Sequence, residues 1–142
     1  MERKLHALAG AIALTFIAAS PSASPAIGFM TAGELKAKVS AHQPVTIVDV
    51  RDSNSNAGTP ERIKGAIHVR LRRLKLRLAQ HPLKSLPRDQ PVVTYCACPA
   101  DEAGIRAAQV FRDAGFQRVS TLKGGWEAWR QAGGPVEKTP KP

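Results

Sequence analysis

Two short β-branched runs constrain this chain most. Val45-Thr46-Ile47-Val48-Asp49-Val50 and Pro91-Val92-Val93-Thr94-Tyr95 are of strand length and largely apolar, as in strands buried within a sheet. The segments around them carry helical signals. Thr31 and Glu34 make an S/T-x-x-E capping box, and Ala32, Leu35 and Val39 then recur on one helical face until His42-Gln43-Pro44. Leu71, Leu74 and Leu78 suit a second helix, with a cationic outer face. A third runs from about Ala103 to Ala114 and stops at Gly115. Ala66-Ile67-His68-Val69 reads as a short strand and Gln117 to Leu122 as a further one. Gly124-Gly125 turns the chain into a last helix with Trp126 and Trp129, and Ser53 to Pro60 is a polar loop. Strands alternating with helices predict an α/β fold, three-layer α/β/α with a mainly parallel central sheet. Ligands of such sheets bind beyond the carboxyl ends of the strands, which is where Cys96 stands.

The chain's 142 residues suit one domain. Its start has the order of an export signal: the charged Glu2, Arg3 and Lys4, the apolar run Ala7 to Ala19, then small residues and prolines from Ser20 to Ala26. The run is short of the roughly 20 residues a membrane span needs. The expected organisation is therefore a signal peptide at 1–26, a folded domain at 31–136 and a flexible tail at 137–142, with the protein exported to a periplasm or secreted. No stable membrane span is expected after removal of the signal.

Lys and Arg number 21 against 11 Asp and Glu, a formal charge of +10 that favours anions and acidic surfaces. Arg70, Arg72, Arg73, Lys75 and Arg77 crowd together and read as a solvated helix face. Aromatics make up only 5%, which leaves little for a base-stacking platform, so no nucleic-acid partner is expected.

There are two cysteines, Cys96 and Cys98. A single residue between them speaks against a structural disulfide, on the expectation that such a bridge is strained. At the end of a strand and the start of a helix, Cys96 lies where free amides and the helix dipole stabilise a thiolate, the nucleophilic form. The amides of the same loop are placed to cradle an anionic sulfur. Cys98 has three readings: a partner that resolves an oxidised Cys96, a second ligand for a soft metal, or a passive loop residue.

Four segments in register resemble the rhodanese family. Val48-Asp49-Val50-Arg51 resembles its D-V-R strand end. Ile63-Lys64-Gly65-Ala66-Ile67-His68 resembles its I-P-G-A-I-H segment, with Lys64 for proline. Val93-Thr94-Tyr95-Cys96 resembles the strand that delivers its active cysteine. Leu122 to Trp129, followed by Gly134-Pro135-Val136, resembles its closing signature. The resemblance runs from about Thr31 to Val136. It implies a sulfurtransferase that takes sulfane sulfur from a small donor or a protein persulfide as a Cys96 persulfide and passes it to a thiol or other nucleophile, without cofactor or metal. A non-enzymatic redox or soft-metal-binding module using Cys96 and Cys98 is the competing reading.

The loop departs from the family's common C-x-x-G-x-R pattern. It reads Cys96-Ala97-Cys98-Pro99-Ala100-Asp101-Glu102, and Asp101 stands where the arginine would be. These loop residues and Arg51, at a neighbouring strand end, are the expected substrate contacts beside Cys96. Asp101 and Glu102 are expected to cap the following helix and to disfavour anionic donors such as thiosulfate. Phosphatases of this fold need C-x5-R, and Glu102 occupies the arginine position, which excludes that chemistry.

Overall fold

The computed structural model describes residues 26–52 and 60–139. All but the last residue of the expected signal peptide, residues 53–59 of the polar loop and residues 140–142 lie outside the described residues. The elements are β1 (Gly28–Met30), α1 (Ala32–Ser40), β2 (Thr46–Asp49), β3 (Glu61–Ile63), β4 (Ile67–His68), α2 (Leu74–Arg77), β5 (Val92–Tyr95), α3 (Glu102–Asp113), β6 (Val119–Leu122), α4 (Gly125–Gln131) and β7 (Val136–Lys138). The main sheet has the order β1-β6-β5-β2-β4, parallel throughout. β5 is its middle strand, so Cys96 emerges from the centre of the molecule.

The period of two along the strands divides the core. Ile47 of β2 and Val93 of β5 point to one face, where they meet Leu35 of α1 and Trp126 and Trp129 of α4. Val48 and Val92 point to the other, against Leu74 of α2 and Ala107 and Phe111 of α3. The result is the expected three layers. The capping box forms as read: Thr31 Oγ1 accepts from the Glu34 N–H at 3.2 Å, and Glu34 Oε2 accepts from the Thr31 N–H at 2.7 Å. Among the described residues no helix is long and apolar enough to cross a membrane.

Two elements go beyond the expectation. β1 forms an edge strand before Thr31, and its three residues pair with Ser120, Thr121 and Leu122 of β6. The sheet therefore takes in residues ahead of Thr31. Of the tail expected at 137–142, Glu137 and Lys138 belong to a strand: Val136–Lys138 pairs antiparallel with Glu61–Ile63, and Arg62 Nε donates to Glu137 Oε1 at 2.8 Å.

Candidate active site

The site is built where β5 hands over to α3. Tyr95 ends β5, and its carbonyl accepts from the Val50 N–H at 3.0 Å, so the strand is still paired with the β2 side when Cys96 begins. Cys96 is 2% exposed. Its carbonyl accepts from the Trp126 N–H at 2.9 Å, which fastens the loop to the first turn of α4. Gly125 has φ 51°, and a Cβ there would overlap the Cys96 carbonyl oxygen. Glycine is thus required where the Gly124-Gly125 turn presses on the cysteine backbone.

Residues 97–100 form the rim. Ala97, Pro99 and Ala100 are exposed and Cys98 is half-buried. Ala100 and Asp101 both lie in the left-handed region, with φ 55° and 56°. For residues with a Cβ this conformation costs of the order of 1 kcal/mol each, so the surrounding contacts must hold it. Asp101 supplies one: it is buried, and its Oδ2 accepts from the Gly124 N–H at 2.8 Å.

Asp101 therefore departs from its expected role. Its side chain makes no capping bond to α3. It ties the cysteine loop to the glycine turn, because the left-handed Ala100-Asp101 pair turns the carboxylate inward. Glu102 is exposed at the first turn of α3, and Arg106, one turn further on, is exposed as well.

The two cysteines are joined in a disulfide, contrary to the expectation drawn from their spacing. Their Cα atoms lie 5.7 Å apart, a separation that disulfides ordinarily span, so one intervening residue suffices when the backbone bends. Cys98 also takes the helix amide expected for Cys96: its Sγ accepts from the Ala103 N–H at 3.4 Å, within the first turn of α3.

α3 approaches closely because it carries Gly104 in its first turn. A Cβ at this position would lie 2.7 Å from Thr121 Oγ1 and 3.8 Å from the Cys96 nitrogen. Thr94 Oγ1 donates to the Gly104 carbonyl at 2.7 Å and lies 2.8 Å from Thr121 Oγ1. These two fully buried hydroxyls form the floor beneath the cysteine loop. Sequence reading passed over them, since threonine in a β-branched run looks like ordinary strand material.

Arg51 sits behind this assembly. Its Nη2 donates to Asp49 Oδ2 at 2.7 Å and to the Glu61 carbonyl at 2.8 Å, and its Nε donates to Asp49 Oδ1 at 2.9 Å. The guanidinium lies 4.6 Å from the Trp126 ring centroid and 5.5 Å from that of Tyr95. The side chain is 1% exposed. The arginine braces the two aromatic residues that flank Cys96 in the chain and in space. His68 Nδ1 is 3.7 Å from the same Asp49 carboxylate. Burial alone would raise the Asp49 pKa, but the nearby His68 ring, the Arg51 hydrogen bonds and the Arg51 charge outweigh it and hold it at about 2. Burial and the Asp49 charge push the Tyr95 hydroxyl up, so it stays neutral; it accepts from the Ile63 N–H at 3.2 Å. Beyond β4, His68, Arg70, Arg73 and Arg77 line a shallow basic hollow.

A parallel α/β sheet whose central strand delivers a cysteine into a loop at a helix start defines the class: an α/β protein with a cysteine at the carboxyl edge of its sheet. Residues 31–132 match the model of the rhodanese-like domain, and the chain belongs to that family. It is 35% identical over 95 residues to the uncharacterized protein slr1261 of Synechocystis sp.; that match covers 67% of this chain and 48% of the relative, so the chain spans about half of that protein's length. Against the thiosulfate sulfurtransferase GlpE of Coxiella burnetii it is 30% identical over 86 residues, 61% of this chain and 72% of the relative. The crystal structure of the Alr3790 protein from Anabaena sp. superposes with a TM-score of 0.65 at 33% identity, over 78% of this chain and 92% of the other.

Proposed function

We propose that the protein is an exported sulfurtransferase in which Cys96 takes sulfane sulfur as a persulfide and passes it to a thiol acceptor. The observation that carries this reading is the placement of Cys96 at the carboxyl end of the central strand of a rhodanese-like domain, its loop anchored by Asp101 to Gly124 and by its own carbonyl to Trp126. The thiolate of the reduced protein attacks the outer sulfur of a donor; with thiosulfate the leaving group is sulfite. Loop amides between Ala97 and Glu102 receive the resulting anion. The thiosulfate sulfurtransferase name of the Coxiella relative supports this reaction class.

Asp101 directs its carboxylate to the Gly124 N–H, a neutral group that leaves its repulsion of an anionic donor in place. Glu102 adds to it at the exposed helix start. The donors that suit this loop are therefore small persulfides or a partner's persulfide, with thiosulfate the poorer donor.

The test is the intact mass of reduced protein treated with donor. Wild type should transfer sulfur from donor to an added thiol, and Cys96→Ser should transfer none while melting normally, because a hydroxyl of similar size replaces the thiol. Undiminished transfer by Cys96→Ser would overturn the assignment.

A further inference from the structure

The Cys96–Cys98 disulfide has no place in simple transfer to an external acceptor, yet the loop is shaped to form it. We propose that Cys98 is a resolving thiol: it attacks the Cys96 persulfide, closes this disulfide and releases hydrosulfide. The proposal rests on the reading that Cys96 is the sulfur-carrying residue.

Three observations carry it. The disulfide itself shows that Cys98 Sγ reaches Cys96 Sγ within this loop, with Cα atoms 5.7 Å apart and Cys96 still at the end of β5. Cys98 Sγ accepts the Ala103 N–H at 3.4 Å. That donor is one of the first-turn amides of a 12-residue helix, and it favours the thiolate needed for attack. Finally, Cys96 is buried while Cys98 is half-buried among exposed rim residues. An outside acceptor must come down to Cys96, whereas Cys98 is already beside it, an advantage of proximity.

The chemistry balances. The Cys98 thiolate attacks Sγ of the Cys96 persulfide. The bond between Cys96 Sγ and Cys98 Sγ forms, the bond from Cys96 Sγ to the outer sulfur breaks, and its electron pair leaves with hydrosulfide. Cys98 is oxidised and the outer sulfur is reduced. Reopening takes two equivalents of a small thiol. The first attacks Cys98 Sγ, the more accessible sulfur, so that Cys96 leaves as a thiolate ready for the next donor. The second frees Cys98, and the two thiols depart as their own disulfide. Each cycle converts sulfane sulfur and two thiols into hydrosulfide and an external disulfide.

The experiment uses the full chain, reduced, freed of reductant under anaerobic conditions and treated with thiosulfate or, separately, glutathione persulfide. Wild type should end about 2 Da below its reduced mass with both thiols gone, as a disulfide requires. In the thiosulfate arm, where the donor yields only sulfite, about one hydrosulfide per chain should appear without added thiol. Cys98→Ser should instead hold a persulfide on Cys96, roughly 32 Da heavier, and release hydrosulfide only when dithiothreitol is added. Cys98→Ala should behave as Cys98→Ser does, which separates loss of the thiol from disturbance of the loop. Wild type that accumulates the heavier adduct with both donors and releases no hydrosulfide overturns the resolving role of Cys98 and leaves Cys96 transfer standing. Failure of both Cys98 variants to take up sulfur from either donor overturns the Cys96 reading and this proposal with it.

Discussion

Asp49 and Arg51 show how a buried ion pair fixes the end of a strand. As the end of a D-V-R strand, Arg51 looks like a hand reaching for the donor. In the structure it is turned inward, fixed by Asp49 and the Glu61 carbonyl and stacked near Trp126. Its Nε and Nη2 are therefore engaged in support of the site. A buried pair of this kind is sensitive to removal of one partner, which leaves an uncompensated charge and costs about 3–5 kcal/mol. Asp49→Asn should be destabilised on that scale at neutral pH. The pH dependence follows from the carboxyl pKa of about 2 in the fold, against an ordinary value of 3.8. A lowered acid pKa gives stability that is fully present above the unfolded value and is lost as pH falls through the folded one. Wild type should thus lose about 2 kcal/mol between roughly pH 4 and pH 2 that Asp49→Asn does not lose. Urea unfolding of both proteins across that range checks it, and equal slopes against pH would show that the pair is not the acid-sensitive element.

At the scale of elements, the decisive contact is the seating of α3 on the sheet through Gly104. Thr121 Oγ1 occupies the space that a Cβ would need, and that hydroxyl is held by Thr94 within the sheet. Gly104→Ala gains helix propensity of about 1 kcal/mol but should lose more to overpacking, for a net cost of about 1–2 kcal/mol. It should also lift the start of α3 from Cys96 and lower sulfur transfer. In a Thr121→Ala background the same change should cost less, because the clashing hydroxyl is gone; equal cost in both backgrounds would place the strain elsewhere. This contact also marks how far the sequence could be read. The runs around Val48 and Val93, the Thr31–Glu34 cap and Gly115 after α3 announce themselves by local pattern, and each element formed near its expected place. β1 and β3 did not, because three residues such as Gly28-Phe29-Met30 or Glu61-Arg62-Ile63 carry no periodicity and owe their conformation to a distant partner. The position of Cys96 was legible, being a strand end. The inward turn of Asp101 was not, since it depends on two left-handed residues that neither glycine nor asparagine announces, and neither was the bond from Cys96 to Cys98, since the 5.7 Å between their Cα atoms is set by a backbone bend that the spacing alone does not show.

For the molecule as a whole, the open question is where the folded protein begins, and the sheet edge answers part of it. β1 covers one side of β6, with Gly28, Phe29 and Met30 opposite Ser120, Thr121 and Leu122. The Met30 carbonyl then accepts from the Lys123 N–H at 2.9 Å, immediately before the Gly124-Gly125 turn that presses on Cys96. Arg112 Nη1 reaches the Ala26 carbonyl at 3.3 Å, which ties the same segment to α3. The N-terminal strand thus supports the site through β6 and its turn. If the protein is exported, the cut must spare these contacts, so the new N-terminus should fall between Ser22 and Ala26. N-terminal sequencing of exported protein tests this, and an intact Met1 on the folded cytoplasmic protein would count against export. The same reasoning sets the effect of trimming further. A chain that starts at Thr31 still has the complete family match of 31–132, and from the match alone it should be as stable as one that starts at Ala26. The structure says otherwise. Losing β1 strips the β6 edge of its ladder, and a few net hydrogen bonds at about 0.5–1.5 kcal/mol each amount to roughly 2–4 kcal/mol. For a domain of this size that lowers Tm by something near 10 °C. Sulfur transfer measured well below either Tm should also fall, because Lys123 loses its anchor. Equal melting temperatures for the two chains would show that β1 merely rests on the sheet, and that the glycine turn is held from the α3 and α4 side alone.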